Sequence, residues 1–178
     1  MYSLNIGFLL LLLLFAAWYD IRSRRIPNAV VFPGAVVGVL SNAVLPQEMG
    51  GLGVLDSLGG LGVGLVLLLP LYLLRAMGAG DVKLMAMTGA FLGVRGATGA
   101  LLCVLLAGGV LALGVAWHQG KLRRLLYNFK MMLFIGAAGG SMGNLSVTGN
   151  LPESVGKLPY GVAIAAGTVV YLVLAHWG

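Results

Sequence analysis

The sequence predicts an all-α membrane protein, a bundle of about six transmembrane helices with an interfacial amphipathic helix after the fifth span. Of its 178 residues, 60% are hydrophobic and only 9% are charged, and long apolar runs recur along the chain. A soluble domain carries about 25% charged residues to cover its surface. With so few charges, most of this surface has to face lipid. The length suits one domain, residues 1–178.

The apolar runs give six candidate spans, because about 20 apolar residues cross the hydrocarbon core as a helix. No Lys or Arg precedes the first run, so we predict an uncleaved helix and not a signal peptide. The six spans are Leu4–Tyr19, Ala29–Leu45, Leu52–Leu74, Val82–Val94, Ala97–Trp117 and Tyr160–Trp177.

Basic residues concentrate in the loops on one side of these spans. Of the 11 Lys and Arg residues, only Arg95 falls on the other side when the N-terminus is placed outside. Basic loops are typical of the cytoplasmic face. The pattern therefore predicts both termini outside, with the loops after the first, third and fifth spans in the cytoplasm.

The segment after the fifth span has a helical pattern of its own. From Lys121 to Leu133 apolar residues recur three and four positions apart, opposite a basic and polar face. This pattern predicts an amphipathic helix at the membrane surface, which anchors on anionic lipid or, alternatively, recruits substrate. The glycine-rich stretch 136–156 is predicted to form a loop.

Composition excludes several classes of function. The basic residues are scattered and form no patch that fits nucleic acid. A single cysteine, Cys103, excludes an internal disulfide and a Cys-based zinc site. Two histidines far apart in the sequence exclude a His-rich metal centre. We therefore expect chemistry that needs no metal and no cofactor.

Five acidic residues remain as candidates for that chemistry. Glu48 and Glu153 fall in loops, and Asp56 lies early in the third span, where a polar contact or a helix start explains it. Asp20 closes the first span and Asp81 opens the fourth, so the topology places both at the inner side. Inserting an acid in an apolar span costs about 2.5–3.5 kcal/mol, so a function is expected for this pair.

Two neighbouring carboxyl groups are able to divide acid and base roles, because like charges push their pKa values apart. One deprotonates a water held between them, while the other protonates or hydrogen-bonds the scissile carbonyl. Asp81 starts a helix, where the dipole favours an anion, whereas Asp20 ends one. We therefore predict Asp81 as the ionised base and Asp20 as the protonated acid. The three arginines that follow Asp20 leave the reverse assignment open.

Residues near the two acids are candidates for substrate binding. Glycines before the second acid permit backbone conformations barred to other residues, so an extended substrate is able to lie there, although a turn alone also explains them. Pro27 and Asn28 are expected to begin the second span, with Asn28 as its helix cap. The predicted substrate-binding residues are Gly78, Gly80, Lys83, Pro27 and Asn28.

Three segments resemble the type IV prepilin peptidases. Gly78–Asp81 reads GAGD and matches the GxGD motif of intramembrane aspartyl proteases. Asp20–Asn28 resembles the family's first-aspartate segment, and Lys157–Ala165 resembles the Pro-aromatic-Gly segment that opens its last helix. Presenilin and signal peptide peptidase also use Tyr-Asp and GxGD, but this sequence lacks their Pro-Ala-Leu motif.

The resemblance implies a membrane protease that removes the short, basic leader of prepilins or pseudopilins at the cytoplasmic face of the bacterial inner membrane. It implies that Asp20 and Asp81 are catalytic, that a prepilin is the partner, and that no cofactor is needed. Many bacterial members carry an extra N-terminal segment with cysteine pairs, associated with methylation of the pilin. We expect this chain to be the minimal, peptidase-only form, similar to those of tight-adherence (Flp-type) pili.

Two other interpretations stay open. A serine protease would need a dyad such as Ser23 or Ser141 with Lys83, for which no motif is present. A non-catalytic assembly factor or a small transporter would use intramembrane acids to pack the bundle or to carry protons. The lack of an acid at mid-membrane argues against a proton path.

Overall fold

The computed structural model describes residues 2–46, 51–73, 77–118, 120 and 160–177. Three segments within these ranges are long and apolar enough to cross a membrane, and two further helices are apolar but shorter. The predicted all-α, multi-pass membrane class is therefore confirmed for the described residues, which contain no strand. The five helices are α1 (Tyr2–Ser23), α2 (Asn28–Val44), α3 (Val54–Leu73), α4 (Ala79–His118) and α5 (Tyr160–Trp177).

The helix α4 is broken at Gly93, whose backbone is left-handed (φ 68°, ψ −176°). The break divides it into a first limb, residues 79–92, and a second limb, residues 94–118. The two spans predicted here from the sequence fall one on each limb. The count of six spans stays a prediction. The predicted amphipathic helix at 121–133 and the glycine-rich loop at 136–156 lie outside the described residues.

The chain divides into two compact units, one of residues 1–108 and 159–178 and the other of residues 109–158. In the first unit α1 packs against α2 and α5, and α2 packs against α3. Of the second unit the structure describes the end of α4 and Gly120. The single domain expected from the sequence stays a prediction.

The first limb of α4 forms the centre of the first unit. Residues 84–93 are all buried, and a helix that is apolar on every side belongs in the interior of a bundle. Met85 and Met87 have no exposed surface. Both methionines therefore pack within the bundle.

Glycines let α3 and α4 touch backbone to backbone. Gly60 and Gly64 lie about one turn apart on α3, as do Gly89 and Gly93 on α4. A Cβ atom on Gly60 would collide with the Gly89 carbonyl oxygen, and a Cβ on Gly89 would collide with that of Gly60. Small residues four apart are common at helix interfaces in membranes, because helices surrounded by lipid associate mainly through close packing.

The helix α2 uses the same spacing against the first limb of α4. Gly34, Gly38 and Asn42 are buried and follow one another at four-residue intervals, which places them on one face. A Cβ on Gly34 would lie 2.5 Å from Sδ of Met87, and one on Gly38 would lie 2.9 Å from the Phe91 ring. The glycines therefore leave room for the large side chains of α4.

Side chains from α2 and α3 replace the hydrogen bonds that the break at Gly93 interrupts. In an unbroken helix the Val94 N–H would donate to the Ala90 carbonyl oxygen. Here the Val94 N–H donates to Oδ1 of Asp56 (3.3 Å), and the Ala90 oxygen accepts a bond from Nδ2 of Asn42 (3.0 Å). The expectation that Asp56 makes a polar contact is confirmed.

We predict that Gly60→Ala lowers the free energy of unfolding by about 1–3 kcal/mol, the usual cost of overpacking. Its new Cβ would meet a backbone carbonyl of α4, which cannot rotate away as a flexible side chain would. Equilibrium unfolding of the protein in mixed detergent micelles measures the change. Gly62→Ala is the matched control, because nothing lies within 4 Å of the Cβ added there. Equal stability of the two variants would contradict the backbone contact.

Candidate active site

The first acid, Asp20, lies in the last turn of α1 and is only 6% exposed. The helix ends three residues later, where Arg24 adopts a left-handed conformation (φ 52°). The Arg24 N–H donates to the Asp20 carbonyl oxygen (2.8 Å), which is a common way of closing a helix. A non-glycine residue in this conformation carries about 1–3 kcal/mol of strain, and such residues cluster at functional sites.

The second acid, Asp81, lies in the first turn of α4 and is 8% exposed. Its Oδ2 accepts a hydrogen bond from the Gly78 N–H (2.9 Å), and its own N–H donates to the Gly78 carbonyl oxygen (3.2 Å). The carboxylate therefore caps the start of its own helix, where an N–H group has no partner within the helix. The GAGD segment is a helix start whose third helical residue is the acid.

The start of α5 supplies a partner for Asp20 that the sequence did not reveal. The Gly161 N–H donates to Oδ2 of Asp20 (2.8 Å), a buried bond between residues 141 positions apart. Gly161 entered the sequence analysis only as part of a segment that resembles a family. The one indication in the sequence was that Pro159 and Gly161 flank the start of an apolar helix.

The two acids come together in the folded chain. Asp20 and Asp81 are near enough for the charge of one to act on the other, and the half-buried Tyr160 side chain is within electrostatic range of Asp81. The loop that follows α1 also approaches α4, since a Cβ on Gly80 would lie 3.1 Å from Cβ of Ile26. The ends of α1, α4 and α5 therefore form one site.

The predicted substrate-binding residues lie on two neighbouring helix starts. Lys83 is one turn into α4, and its Nζ donates to Oδ1 of Asn28 (3.2 Å) and lies 5.2 Å from the centre of the Phe32 ring. The prediction that Asn28 caps α2 is wrong, because Pro27 occupies the cap position and no side chain caps this helix. Gly78, the remaining predicted residue beside α4, donates its N–H to the Asp81 carboxylate. Their role toward substrate stays a prediction.

The surroundings of Asp20 include a second helix end that the sequence did not indicate. Asp20 lies in the last turn of α1, whose dipole disfavours an anion, but the fold also brings the start of α5 to it, where the dipole favours one. Asp81 lies at the start of its own helix alone. Opposing helix dipoles at Asp20 therefore do not assign its role, and the acid and base roles stay a prediction.

Other candidate groups in the described part of the chain are engaged elsewhere. The Ser23 hydroxyl donates to the Tyr19 carbonyl oxygen (2.8 Å), and Lys83 is bonded to Asn28. Among the described residues no three His, Cys, Asp or Glu side chains are grouped closely enough to hold a metal ion. Ser141, Glu48 and Glu153 lie outside the described residues.

Comparison with known protein families identifies the chain. The model of the type IV leader peptidase family matches residues 7–113, more than half of the sequence. The chain belongs to this family. The matched range of the leader peptidase family includes Asp20 and Asp81 and ends before α5, so the third resembling segment lies beyond it. No curated protein and no solved structure matches the chain.

Proposed function

We propose that this member of the leader peptidase family is an aspartyl endopeptidase that removes the leader of type IV prepilins or pseudopilins at the cytoplasmic face of the bacterial inner membrane. The observation that carries the proposal is the meeting of two nearly buried acids, Asp20 and Asp81, at neighbouring helix ends. Acids are costly in apolar helices. A pair of them held together by the fold is well suited to acid–base chemistry.

In the proposed reaction one carboxylate takes a proton from a water molecule held between the two acids. The resulting hydroxide attacks the carbonyl carbon of the scissile peptide bond, and the other carboxyl group gives its proton to the carbonyl oxygen. The tetrahedral intermediate then collapses, the C–N bond breaks, and a proton passes to the leaving amine. Two carboxyl groups with different proton affinities are sufficient for these transfers.

The charge distribution supports a cytoplasmic position for this site. Arg22, Arg24 and Arg25 follow Asp20 directly, and Lys83 follows Asp81 by two residues. Basic residues concentrate at the cytoplasmic ends of membrane helices. The same end of the bundle would therefore receive the basic leader of the substrate.

The position of the described acids argues against a proton-carrying transporter or a purely structural role. Asp20 lies in the last turn of its helix, and Asp56 and Asp81 lie in the first turns of theirs. None of these three lies at the middle of a helix, where a proton path across the bilayer would need a carrier. Membership of a peptidase family favours hydrolysis further.

The residues beside the acids are proposed to hold the substrate. Gly78 precedes α4 and Gly80 is its second residue, and Lys83 and Asn28 link the starts of α4 and α2 through one hydrogen bond. Pro27 sets the direction in which the chain enters α2, since its ring fixes φ. These groups lie at the starts of α4 and α2, where an extended peptide is proposed to bind.

We predict that Asp20→Asn and Asp81→Asn each slow leader removal by about 10²–10⁴-fold, the contribution of a positioned acid or base. Co-expression with a prepilin, followed by the gel shift of the released leader, measures the rate. Asp56→Asn is the control, because its amide oxygen still accepts the Val94 N–H. Processing at the wild-type rate by either of the first two variants would exclude the proposed mechanism.

We also predict that Lys83→Met raises KM about tenfold, as expected if the lost ammonium donated a hydrogen bond worth about 1.4 kcal/mol to a peptide carbonyl oxygen of the substrate. Asn28→Ala is the matched variant, because it breaks the same Lys83–Asn28 bond but keeps the charge. Steady-state cleavage of a prepilin peptide in detergent separates KM from kcat. Equal KM values for the two variants would show that Lys83 acts only through Asn28.

A further inference from the structure

The contact between α5 and Asp20 leaves too little space for a side chain at position 161 unless Asp20 shifts. A Cβ atom on Gly161 would lie 2.9 Å from Oδ2, 3.1 Å from Cβ and 3.2 Å from Cγ of Asp20. Real Cβ atoms rarely approach other atoms so closely. Because three atoms of one buried side chain would be affected at once, a residue larger than glycine at position 161 would have to displace the Asp20 carboxyl group.

The donor in this contact is available because of its place in the helix. The first N–H groups of a helix have no carbonyl oxygen one turn earlier, so they bind other acceptors. Gly161 is the second residue of α5 and belongs to this group. Its N–H therefore binds Oδ2 of Asp20 without giving up a bond within α5, and a charged acceptor makes such a bond stronger and shorter than a neutral one.

The middle of α5 is held in place by close packing against the second limb of α4. A Cβ on Gly167 would collide with the backbone of Val104, and a Cβ on Gly99 would collide with the Tyr171 ring. A Cβ on Gly108, in contrast, would make ordinary contact with the Tyr160 ring at 3.6 Å. The Gly161 N–H is thus presented to Asp20 from a helix that has little freedom to move.

We propose that Gly161 is a positioning residue of the peptidase site: its N–H fixes the orientation of the Asp20 carboxyl group, and its lack of a side chain leaves room for that group. The inference rests on the proposed function, because it concerns the acid pair on which that function depends. Through this residue α5, which lies outside the matched family range, becomes part of the site.

The first test is the variant Gly161→Ala. We expect kcat for prepilin cleavage to fall about tenfold, since Asp20 has to shift by a few tenths of an ångström and a displacement of about 1 Å at a reacting group costs about 100-fold. KM is expected to stay within about twofold, because the change acts on Asp20 and adds no contact to the substrate-binding residues. Gly7→Ala on α1 is the matched control, because nothing lies within 4 Å of its added Cβ and its kcat should not change.

The second test measures the contact without altering Gly161. In protein labelled with ¹³C-carbonyl tyrosine and ¹⁵N-glycine, the amide coupled to a labelled carbonyl is that of Gly161, because Tyr160–Gly161 is the only Tyr-Gly step in the sequence. Its shift is expected to follow the titration of Asp20 in the wild type and to stay constant with pH in Asp20→Asn. This readout keeps the contact testable if Gly161→Ala does not fold, while the fall in kcat at unchanged KM distinguishes positioning from a merely structural role.

The outcomes separate the inference from the proposed function. A folded Gly161→Ala with wild-type kcat, or a Gly161 amide that ignores the state of Asp20, overturns the inference while the inactivity of Asp20→Asn upholds the proposed function. Cleavage by Asp20→Asn at the wild-type rate overturns the proposed function and, with it, the role of Gly161 in catalysis. A fall in kcat together with the coupled titration supports both.

Discussion

A carboxylate within an apolar bundle needs hydrogen-bond donors, because lipid offers none and an unpaired charge there is costly. In this protein the donors come from the backbone at helix starts. Asp81 accepts the N–H of Gly78 at the start of its own helix, and Asp20 accepts the N–H of Gly161 from α5. The helix ends thus supply the hydrogen-bond donors for the two acids and also bring the acids near each other. The site therefore requires the end of α1 and the starts of α4 and α5 to lie together.

Glycine packing determines where those helix ends lie. The close approach of Gly60 on α3 to Gly89 on α4, and of Gly34 and Gly38 on α2 to the same limb, leaves that limb little room to slide. At the Gly93 end of this limb, the Ala90 carbonyl oxygen accepts hydrogen bonds from Nδ2 of Asn42 and from the hydroxyl of Ser57 (2.5 Å). One end of the first limb is therefore fixed by polar side chains, and the other carries Asp81.

Residues that are energetically costly where they stand in the sequence were predictable, whereas contacts between residues far apart in the sequence were not. Asp20 and Asp81 were predictable because acids are rare in this chain and expensive in apolar helices. The contact of Gly161 with Asp20 was not, since a bond across 141 residues leaves no periodic pattern. The cap assigned to Asn28 was wrong because Pro27 already holds the extended conformation of that position, and the Asn28 amide is bonded to Lys83.

The same distinction explains why the roles of the two acids do not follow from their helices. Seen along the chain, Asp20 ends one helix and Asp81 begins another, so their surroundings look opposite. In the folded chain each accepts a backbone N–H at a helix start, and the two also differ in other neighbours: the charge of Arg24 acts on Asp20, and the Tyr160 side chain is near Asp81. Arg24 also holds the strained turn that ends α1. A substrate that moves this turn would shift the Arg24 charge relative to Asp20, so binding itself is able to change the difference between the two acids.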